Sequence, residues 1–341
     1  MRTLTRRELN RALLARQHLL ERAALPLPAT LEAVGGIQAQ YAPSMYIGLW
    51  SRLAGFRRDA LTRALEDRSA IQATLMRVTI HLVSPADFWP LAHATREVRR
   101  TLWLRSRRDL GAPAMAGAAR LLRAALAGGR TLRRTEIEAL VGKPQAQGVG
   151  LWVDLVRVPP SGTWERRRAD LYALAEDWVG SPAPGPDPEA HLVRRYLAGF
   201  GPASRKDVAS FTGFALRPLA GILDRLELRR FASEDGEELL DVPDGPLPDP
   251  GAPAPHRYLP TWDATLLAHA RRTGVLPEEH RPKIFSTRTP QSFPTFLVDG
   301  EVAGTWRWED GEVILTPFGT LADADEEALH AEAAGLAALH A

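Results

Sequence analysis

Two glutamines separated by one alanine, Gln38 and Gln40, are the residues of this sequence whose type and spacing best suit joint chemistry. Gly35 and Gly36 precede them and end an apolar run, because glycine terminates helices and frees the backbone. Pro43 follows and disfavours a regular helix through the segment. In extended backbone, side chains at positions i and i+2 face the same way, so two carboxamides would point at one spot. Such a pair can hold a water molecule or read a base edge, although two glutamines on a solvated turn would have the same sequence.

The common catalytic motifs are missing from the rest of the chain. There is no P-loop, no GxGxxG, no HExxH and no Ser-His-Asp spacing. The nine histidines are scattered without metal-ligand spacing and there is no cysteine, so we expect no metal, no cofactor and no disulfide. No apolar run approaches the roughly 18 residues that span a bilayer. With no signal-peptide core at the N-terminus, we expect a cytoplasmic monomer that does not bind membranes.

Helices followed by a short β element are predicted to position the glutamines. Thr5 and Glu8 form a capping box that begins a helix running to about Arg22. Further helices and then a hairpin are predicted at 29–35, 45–53, 59–68 and 73–83. This is the winged-helix pattern, so residues 1–90 are predicted to form a first winged-helix unit.

The same pattern recurs twice without an alignable sequence repeat. In residues 91–180, helices and a hairpin are predicted at 115–127, 135–141, 148–155 and 156–168. In residues 181–245, after a Pro-rich linker, they are predicted at 189–198, 204–211, 215–225 and 226–242. Residues 256–341 are β-rich, with two Asp-Gly hairpin signals, and end in an acidic helix. The predicted fold class is α+β, with three tandem winged-helix units and a small C-terminal β-barrel domain.

The net charge of +2 conceals an uneven distribution. Residues 94–134 contain eleven arginines against two acidic residues, whereas residues 299–341 contain ten acidic residues against one arginine. This polarity fits a chain whose basic part meets phosphate. The arginines of the helix that begins near Pro85 fit a solvated or domain-bridging helix face as well as they fit DNA contact.

Further stretches give the glutamine pair a context. They read Thr-Ile-His-Leu-Val at 79–83, Pro-Ser-Gly-Thr-Trp-Glu-Arg at 160–166, Gly-Phe-Gly-Pro-Ala-Ser at 199–204, Leu-Pro-Thr-Trp-Asp at 259–263, and Phe-Leu-Val-Asp-Gly at 296–300 with Gly-Thr-Trp-Arg at 304–307. Together with the Gly-Gly-Ile stretch at 35–37, these stretches resemble the AlkZ/YcaQ-type winged-helix bacterial DNA glycosylases in their order and spacing. The resemblance extends over roughly residues 4–318.

The resemblance implies a monofunctional DNA glycosylase with Gln38 and Gln40 as its catalytic residues. Members of the family act on bulky N7-alkylguanine adducts or on crosslinks in double-stranded DNA. A purine alkylated at a ring nitrogen is cationic and already a good leaving group, so its glycosidic bond breaks without an acid. The enzyme then needs only to position a water and to place dipoles near the oxocarbenium-like sugar. Glutamine at position 40, where another branch has aspartate, places the chain with the branch associated with natural-product resistance.

Three other residues are candidates for catalysis or for the pocket. His81 lies in a β-branched strand and fits a core histidine as well as a catalytic one. Asp263 fits the N-cap of a helix at 264–271 and is the next catalytic candidate if the glutamines are wrong. Tyr41 directly follows the motif and completes this set.

Basic residues at a predicted wing, a helix start and a polar loop are candidates for DNA contact. They are Arg166, Arg167, Arg168, Arg205, Lys206 and Arg288. The first three are predicted on the returning strand of the second hairpin, where a wing often touches phosphate. The third wing is acidic, which makes that unit a poor phosphate binder, and the loop around Arg288 fits a plain surface loop equally well.

Two non-enzymatic functions remain open from the sequence. The chain fits a winged-helix DNA-binding regulator in which the glutamines are structural, or a protein that sequesters a DNA-alkylating compound. Three winged units in one chain argue against a regulator, which tends to use one unit per subunit and to dimerise.

Overall fold

Four groups of elements follow one another along the chain, which the computed structural model describes over residues 1–107, 109–183, 185, 187–270, 274–286 and 291–341. The first group comprises β1 (Thr3–Leu4), α1 (Arg6–Arg16), α2 (Leu27–Val34), β2 (Ile37–Gln38), α3 (Ala42–Arg52), α4 (Arg58–Glu66), β3 (Ile71–Thr74) and β4 (Ile80–Val83). The second comprises α5 (Pro85–Ser106), α6 (Ala112–Leu126), β5 (Leu132–Arg133), α7 (Arg134–Val141), α8 (Lys143–Ala146), β6 (Leu155–Arg157), β7 (Leu171–Leu174) and α9 (Ala175–Trp178).

The remaining groups complete an α+β fold, as predicted. The third group comprises α10 (Pro188–Phe200), α11 (Arg205–Thr212), α12 (Leu216–Leu223), β8 (Arg229–Ser233) and β9 (Glu238–Asp241). The last comprises β10 (Arg257–Leu259), α13 (Arg281–Ile284), β11 (Phe285–Ser286), β12 (Gln291–Ser292), β13 (Thr295–Val298), β14 (Glu301–Glu309), β15 (Glu312–Pro317) and α14 (Asp323–His340). The four segment boundaries drawn from the sequence stay a prediction.

The hairpins of the first two groups join in one six-stranded antiparallel sheet, in the order β2-β4-β3-β6-β7-β5. The two hairpins meet where β3 pairs with β6, with Ala73 opposite Val156. Since residues opposite one another point to the same face, Gln38, His81 and Ala73 share one face. That face packs on the largest apolar core, to which Ala73 and Val156 belong. The sheet thereby places the glutamine motif between two layers of the protein.

The other face of this sheet carries the alternate residues. Gln72 lies opposite Arg157, and Arg157 lies opposite Tyr172. Near β2 this face is covered by the apolar core around α3 and α14. Near β7 it is covered by the smaller core between α6, α7 and the turn Val149–Leu151.

The N-terminus and the third group are joined. β1 pairs in parallel with β8, and β8 pairs with β9. Arg16, at the end of α1, donates to the carboxylate of Asp241 over 2.7 Å, and both side chains are fully buried. A buried pair of this kind is strongly destabilising when one partner is lost, so it fixes α1 against β9.

Four strands of the last group form an open antiparallel sheet, in the order β10-β13-β14-β15. The predicted closed barrel is therefore wrong for the described residues, because β10 and β15 lie at opposite edges and are not paired with each other. α14 packs against β10 and β15, and so covers the sheet with a helix instead of closing it. Within the described ranges, no helix is long and apolar enough to cross a membrane.

Several predicted elements differ from those observed. The first helix ends at Arg16 and not near Arg22, and His18 follows in a left-handed conformation. The helix predicted at 148–155 is only a 3-10 turn, Val149–Leu151, because Gly148 and Gly150 do not support a helix.

Candidate active site

Left-handed glycines position the glutamine motif. α2 ends at Gly35 with φ of 75°, and Gly36 continues with φ of 82°. A Cβ atom on Gly36 would lie 3.1 Å from a methyl group of Val83, so this close approach to β4 suits glycine alone. Beyond β2, the N–H of Ala39 donates to the carbonyl of Ile80 over 2.7 Å. The backbone is held on β4 through Ala39 but bends at Gln40 and Tyr41, so the expectation that extended backbone points both carboxamides at one spot is wrong.

Gln38 is buried and bonded to an arginine. Its side chain is 5% exposed, and its Oε1 accepts a hydrogen bond from Nη2 of Arg77 over 2.7 Å. A guanidinium group only donates, so this contact fixes which end of the carboxamide is oxygen. Burial lowers the pKa of Arg77 to about 10, and the guanidinium lies 4.8 Å from the ring centroid of Phe211. Gln38 is thus held by a partly buried cation that stays charged at neutral pH.

Gln40 is exposed and takes a different partner. Its Oε1 accepts a hydrogen bond from the backbone N–H of Ile80 over 3.1 Å. An amide oxygen has two lone pairs, so one remains for a further donor. The carboxamide also lines a cavity of about 220 Å³ on the sheet face opposite to that of Gln38. The two glutamines therefore lie on one short segment, but they occupy different surroundings.

The cavity beside Gln40 mixes aromatic and polar walls. It is lined by Gln40, Thr74, Val78, Ile80, Trp103, Arg134, Ile137, Ala146, Gln147, Gly148, Val149, Gly150, Leu151, Leu155, Arg157 and Tyr172. This lining includes two arginines and no aspartate or glutamate, as far as the described ranges go. A substrate held here meets hydrogen-bond donors and rings but no carboxylic acid.

His81 is a buried neutral histidine. Its Nδ1 lies 3.1 Å from the carbonyl oxygen of Thr79, which can only accept, so Nδ1 carries the proton. Burial, with the positive charge of Arg77 nearby, lowers the pKa of His81 to about 3. At neutral pH this side chain is a neutral, weak base and not a charged imidazolium acid, which favours a structural role.

Asp263 is bound to a buried arginine. Arg52 donates to both of its carboxylate oxygens, over 2.8 and 3.0 Å. Asp263 also caps the short 3-10 helix Ala264–Leu266 by accepting from the N–H of Thr265 over 2.9 Å, so the cap is present but the predicted helix at 264–271 is shorter. Burial alone would raise the pKa of Asp263, but the attraction and hydrogen bonds of Arg52 hold it below its usual value. Asp263 therefore acts as a structural anion.

Tyr41 links the motif to an arginine cluster. Its hydroxyl group accepts a hydrogen bond from Nη1 of Arg167 over 2.9 Å. A concavity of about 360 Å³ is lined by four arginines and one acid, Asp170, which lies 3.8 Å from Arg133 and from Arg168; the other two arginines are Arg166 and Arg167. Since Tyr41 follows Gln40 in the chain, this basic surface lies next to the motif.

The three consecutive arginines lie in a loop between β6 and β7 and not on the returning strand, which begins at Leu171. The predicted position on the returning strand is wrong, because the connection between β6 and β7 is longer than a hairpin turn and is held by side-chain hydrogen bonds. The hydroxyl group of Ser161 donates to the carbonyl of Arg168 and accepts from the N–H groups of Asp170 and Leu171. Arg166 and Arg168 stay exposed as a result.

The remaining DNA-contact candidates are dispersed. Arg205 bonds Glu238 of the acidic third hairpin over 3.2 Å, and Lys206 is exposed next to it. Arg288 lies outside the described residues. On α5, Arg96 pairs with Asp154 over 2.7 Å and Arg99 is buried against backbone carbonyl groups. These two arginines connect α5 to other parts of the protein. They therefore agree with the interpretation of that helix as domain-bridging.

Sequence reasoning missed Arg77 and Arg157. Both are charged residues inside otherwise apolar β segments, which was the available signal. Arg77 lies in the 3-10 turn Met76–Val78 with φ of 52°, and Arg157 ends β6. Their proximity to the glutamines depends on strand pairing, which the local pattern does not reveal. Among the described residues, no three His, Asp or Glu side chains gather where they could hold a metal ion.

Comparison with known proteins identifies the class of enzyme. A family model described as DNA glycosylase AlkZ-like matches residues 31–339. The chain belongs to this AlkZ-like family of DNA glycosylases. The family assignment confirms the resemblance found in the sequence and argues against the non-enzymatic regulator.

Two similar proteins come from Streptomyces sahachiroi. One, described as an interstrand DNA cross-link repair glycosylase, is 25% identical over 350 aligned positions, which cover 91% of this chain and 90% of that protein. The solved structure of the DNA glycosylase AlkZ has a TM-score of 0.81 to this chain at 20% identity, covering 99% of this chain and 97% of that structure. This likeness shows a shared fold along the whole chain.

Proposed function

We propose that this glycosylase hydrolyses the N-glycosidic bond of cationic alkylated purines in double-stranded DNA, such as bulky N7-alkylguanine adducts or crosslinks. The observation that carries the proposal is the lining of the cavity beside Gln40, which has no carboxylic acid among its described residues. Without an acid to protonate the leaving base, the base must be activated before it binds. A purine alkylated at N7 meets this condition.

The two glutamines are proposed to play different parts, because they lie on opposite faces of the sheet. Because Arg77 holds the oxygen of Gln38, that side chain presents its NH2 group as a donor. Gln40 retains an oxygen lone pair beside its bond to Ile80. A water that donates a hydrogen bond to Gln40 keeps a lone pair for C1′ of the sugar, while the NH2 group of Gln38 is left to donate to an oxygen atom of the bound DNA. The electrons of the N9–C1′ bond pass to the base and cancel its charge, and the water proton leaves to solvent.

The arginine cluster supplies the proposed DNA contact. Arg166 and Arg168 are exposed, and Arg167 bonds Tyr41, the residue after Gln40. A phosphate bound by these guanidinium groups would bring the neighbouring sugar towards the motif. The first two groups of helices and strands are proposed as winged-helix units whose joined sheet carries both features. The third unit, with its acidic hairpin, is proposed as architectural.

Duplex DNA containing one N7-alkylguanine tests the proposal. The full chain, with EDTA present, should convert the lesion to an abasic site that breaks only after heating in alkali. A released intact base and an uncut strand before heating define monofunctional hydrolysis. Binding of the alkylating compound without any release of base from DNA would support sequestration and contradict this function. Excision rates measured on a bulky adduct, on a crosslink and on N7-methylguanine show which substrate the enzyme prefers. That preference distinguishes general DNA repair from self-resistance.

A further inference from the structure

The cavity beside Gln40 contains a partly buried arginine, Arg157, with incomplete hydrogen bonding. Arg157 donates to Oγ1 of Thr74 over 3.1 Å, and its guanidinium carbon lies 5.3 Å from the ring centroid of Tyr172. Its Nε is buried and has no hydrogen-bond partner among the described residues. No carboxylate lines the cavity in those residues, and burial lowers the pKa of Arg157. A buried donor without a partner is costly to keep, so this arginine is suited to a ligand with a strong acceptor.

Aromatic walls flank the same space. Trp103 and Tyr172 both line the cavity. The indole of Trp103 fits closely over Gly148, where a Cβ atom would lie 2.2 Å from the ring, and it packs edge-on against Trp152 at 5.6 Å. The ring is thus held in place by its surroundings. Fixed rings beside a buried donor are the features by which proteins bind an extruded nucleobase.

We propose, on the basis of the glycosylase function above, that this cavity receives the extruded N7-alkylguanine base. Trp103 and Tyr172 contact its faces, and Arg157 donates to its O6 atom. Gln40 is the cavity residue that belongs to the catalytic motif, so a base in the cavity places its C1′ atom beside that carboxamide. At about 220 Å³ the cavity is smaller than the roughly 300–1,000 Å³ of sites for drug-sized ligands, which suits one base and leaves a crosslinked partner outside.

The charge of Arg157 also favours departure of the base. Before cleavage the N7-alkylated base is cationic and is repelled by the guanidinium group. When the N9–C1′ bond breaks, its electron pair remains on the base, which becomes neutral, and the repulsion disappears. Water supplies the oxygen to C1′ and releases its proton to solvent. The arginine therefore binds the product better than the charged substrate, in the direction that assists the reaction.

Binding of the free base N7-methylguanine to the full chain tests the cavity without requiring catalysis. Wild-type protein should bind the base, seen by saturation-transfer NMR and titration calorimetry, and the base should inhibit excision. Arg157→Gln and Trp103→Ala should each weaken this binding by about tenfold or more, since one good contact to a base edge is worth about 1–3 kcal/mol. Arg100→Gln is the matched control, because Arg100 bonds the carbonyl of Leu151 and does not line the cavity.

Affinity for DNA with an abasic site separates a base pocket from a structural role. It should stay at the wild-type value in both cavity variants, because that DNA has no base to insert. Equal loss of affinity for abasic DNA and for free base would show a folding defect and overturn the assignment. Ala146→Leu, which fills the cavity without removing a polar contact, should also exclude the base. If the wild-type protein excises the adduct but binds no free base, the pocket assignment alone is refuted. If it binds the free base but excises no adduct, the proposed function is refuted.

Discussion

Nη2 of Arg77 donates a hydrogen bond to Oε1 of Gln38 over 2.7 Å in a partly buried contact. The contact turns the amide so that its NH2 group is the end left for other partners. The contact also gives the charged side chain of Arg77 a polar partner. The other terminal nitrogen of that side chain, Nη1, has no hydrogen-bond partner among the described residues. Arg77 therefore acts as a positioning residue for Gln38 in the proposed reaction.

Arg77→Met is expected to slow single-turnover base excision by about tenfold or more, because a hydrogen bond to a charged group is worth about 1.5–3 kcal/mol. Arg77→Lys, which keeps one charged donor, should recover part of the rate. DNA affinity should not change in either variant. The double variant Arg77→Met, Gln38→Ala should lose little more than Gln38→Ala alone, as coupled residues do. Additive losses in rate would show that the two residues act separately.

Gln40→Ala is expected to reduce single-turnover excision by about 10²–10³, the usual loss for one well-placed dipole. Its melting temperature and DNA affinity should match wild type, because the side chain is exposed and arginines supply the affinity. Gln40→Asp should keep partial activity, since a carboxylate also holds water. Gln145→Ala, outside the cavity, is the control. Wild-type excision by Gln40→Ala would refute the catalytic assignment of Gln40.

Gln38→Ala should also abolish most excision, but it differs from Gln40→Ala in stability. Removing the acceptor leaves Nη2 of Arg77 without its partner, which costs about 1–3 kcal/mol for a buried group. We therefore expect a lower melting temperature together with a rate far below what unfolding explains. Rates and melting curves measured on one preparation decide this. Activity that falls only in proportion to the folded fraction would make Gln38 structural.

Replacing Arg166, Arg167 and Arg168 with alanine is expected to weaken binding to any duplex sequence. The slope of log affinity against log salt should become shallower by about 0.9 for each phosphate group that the variant no longer binds. The matched control replaces Arg225, Arg230 and Arg307, which are exposed arginines paired with Asp187, Glu238 and Glu309. If both triple variants change the slope equally, net charge and not this loop accounts for binding.

Stability should depend on pH through His81. Its pKa is about 3 in the folded protein against an ordinary value of 6.5, so the unfolded chain binds a proton that the folded chain refuses. The contribution of this site to the free energy of unfolding is fully present above pH 6.5. As the pH is lowered from 6.5 to about 3, the contribution decreases by up to about 1.4 kcal/mol per pH unit. His81→Asn, whose NH2 group can still donate to Thr79, should flatten this part of the profile in urea unfolding between pH 7 and 4.5. The exposed His330→Asn is the control, and identical profiles for wild type and His81→Asn would show that His81 is not buried neutral.

The sequence by itself determined the local elements and the class of enzyme. Capping residues such as Thr5, left-handed glycines such as Gly35, and Asp-Gly turns act within a few residues, so their effects are readable from the chain. The order of short motifs identified the family, and the Gln-Ala-Gln spacing indicated the candidate chemistry. The assignment of those glutamines to catalysis stays a proposal.

Only the tertiary structure decided what surrounds each glutamine. The pairing of β2 with β4 and of β3 with β6 places Gln38 against Arg77 and sets Gln40 beside Arg157, which is more than a hundred residues away in sequence. The open C-terminal sheet and the loop position of Arg166–Arg168 have the same origin. Strand order and side-chain contacts depend on which distant surfaces pack best together, and periodicity along the chain carries no record of that choice.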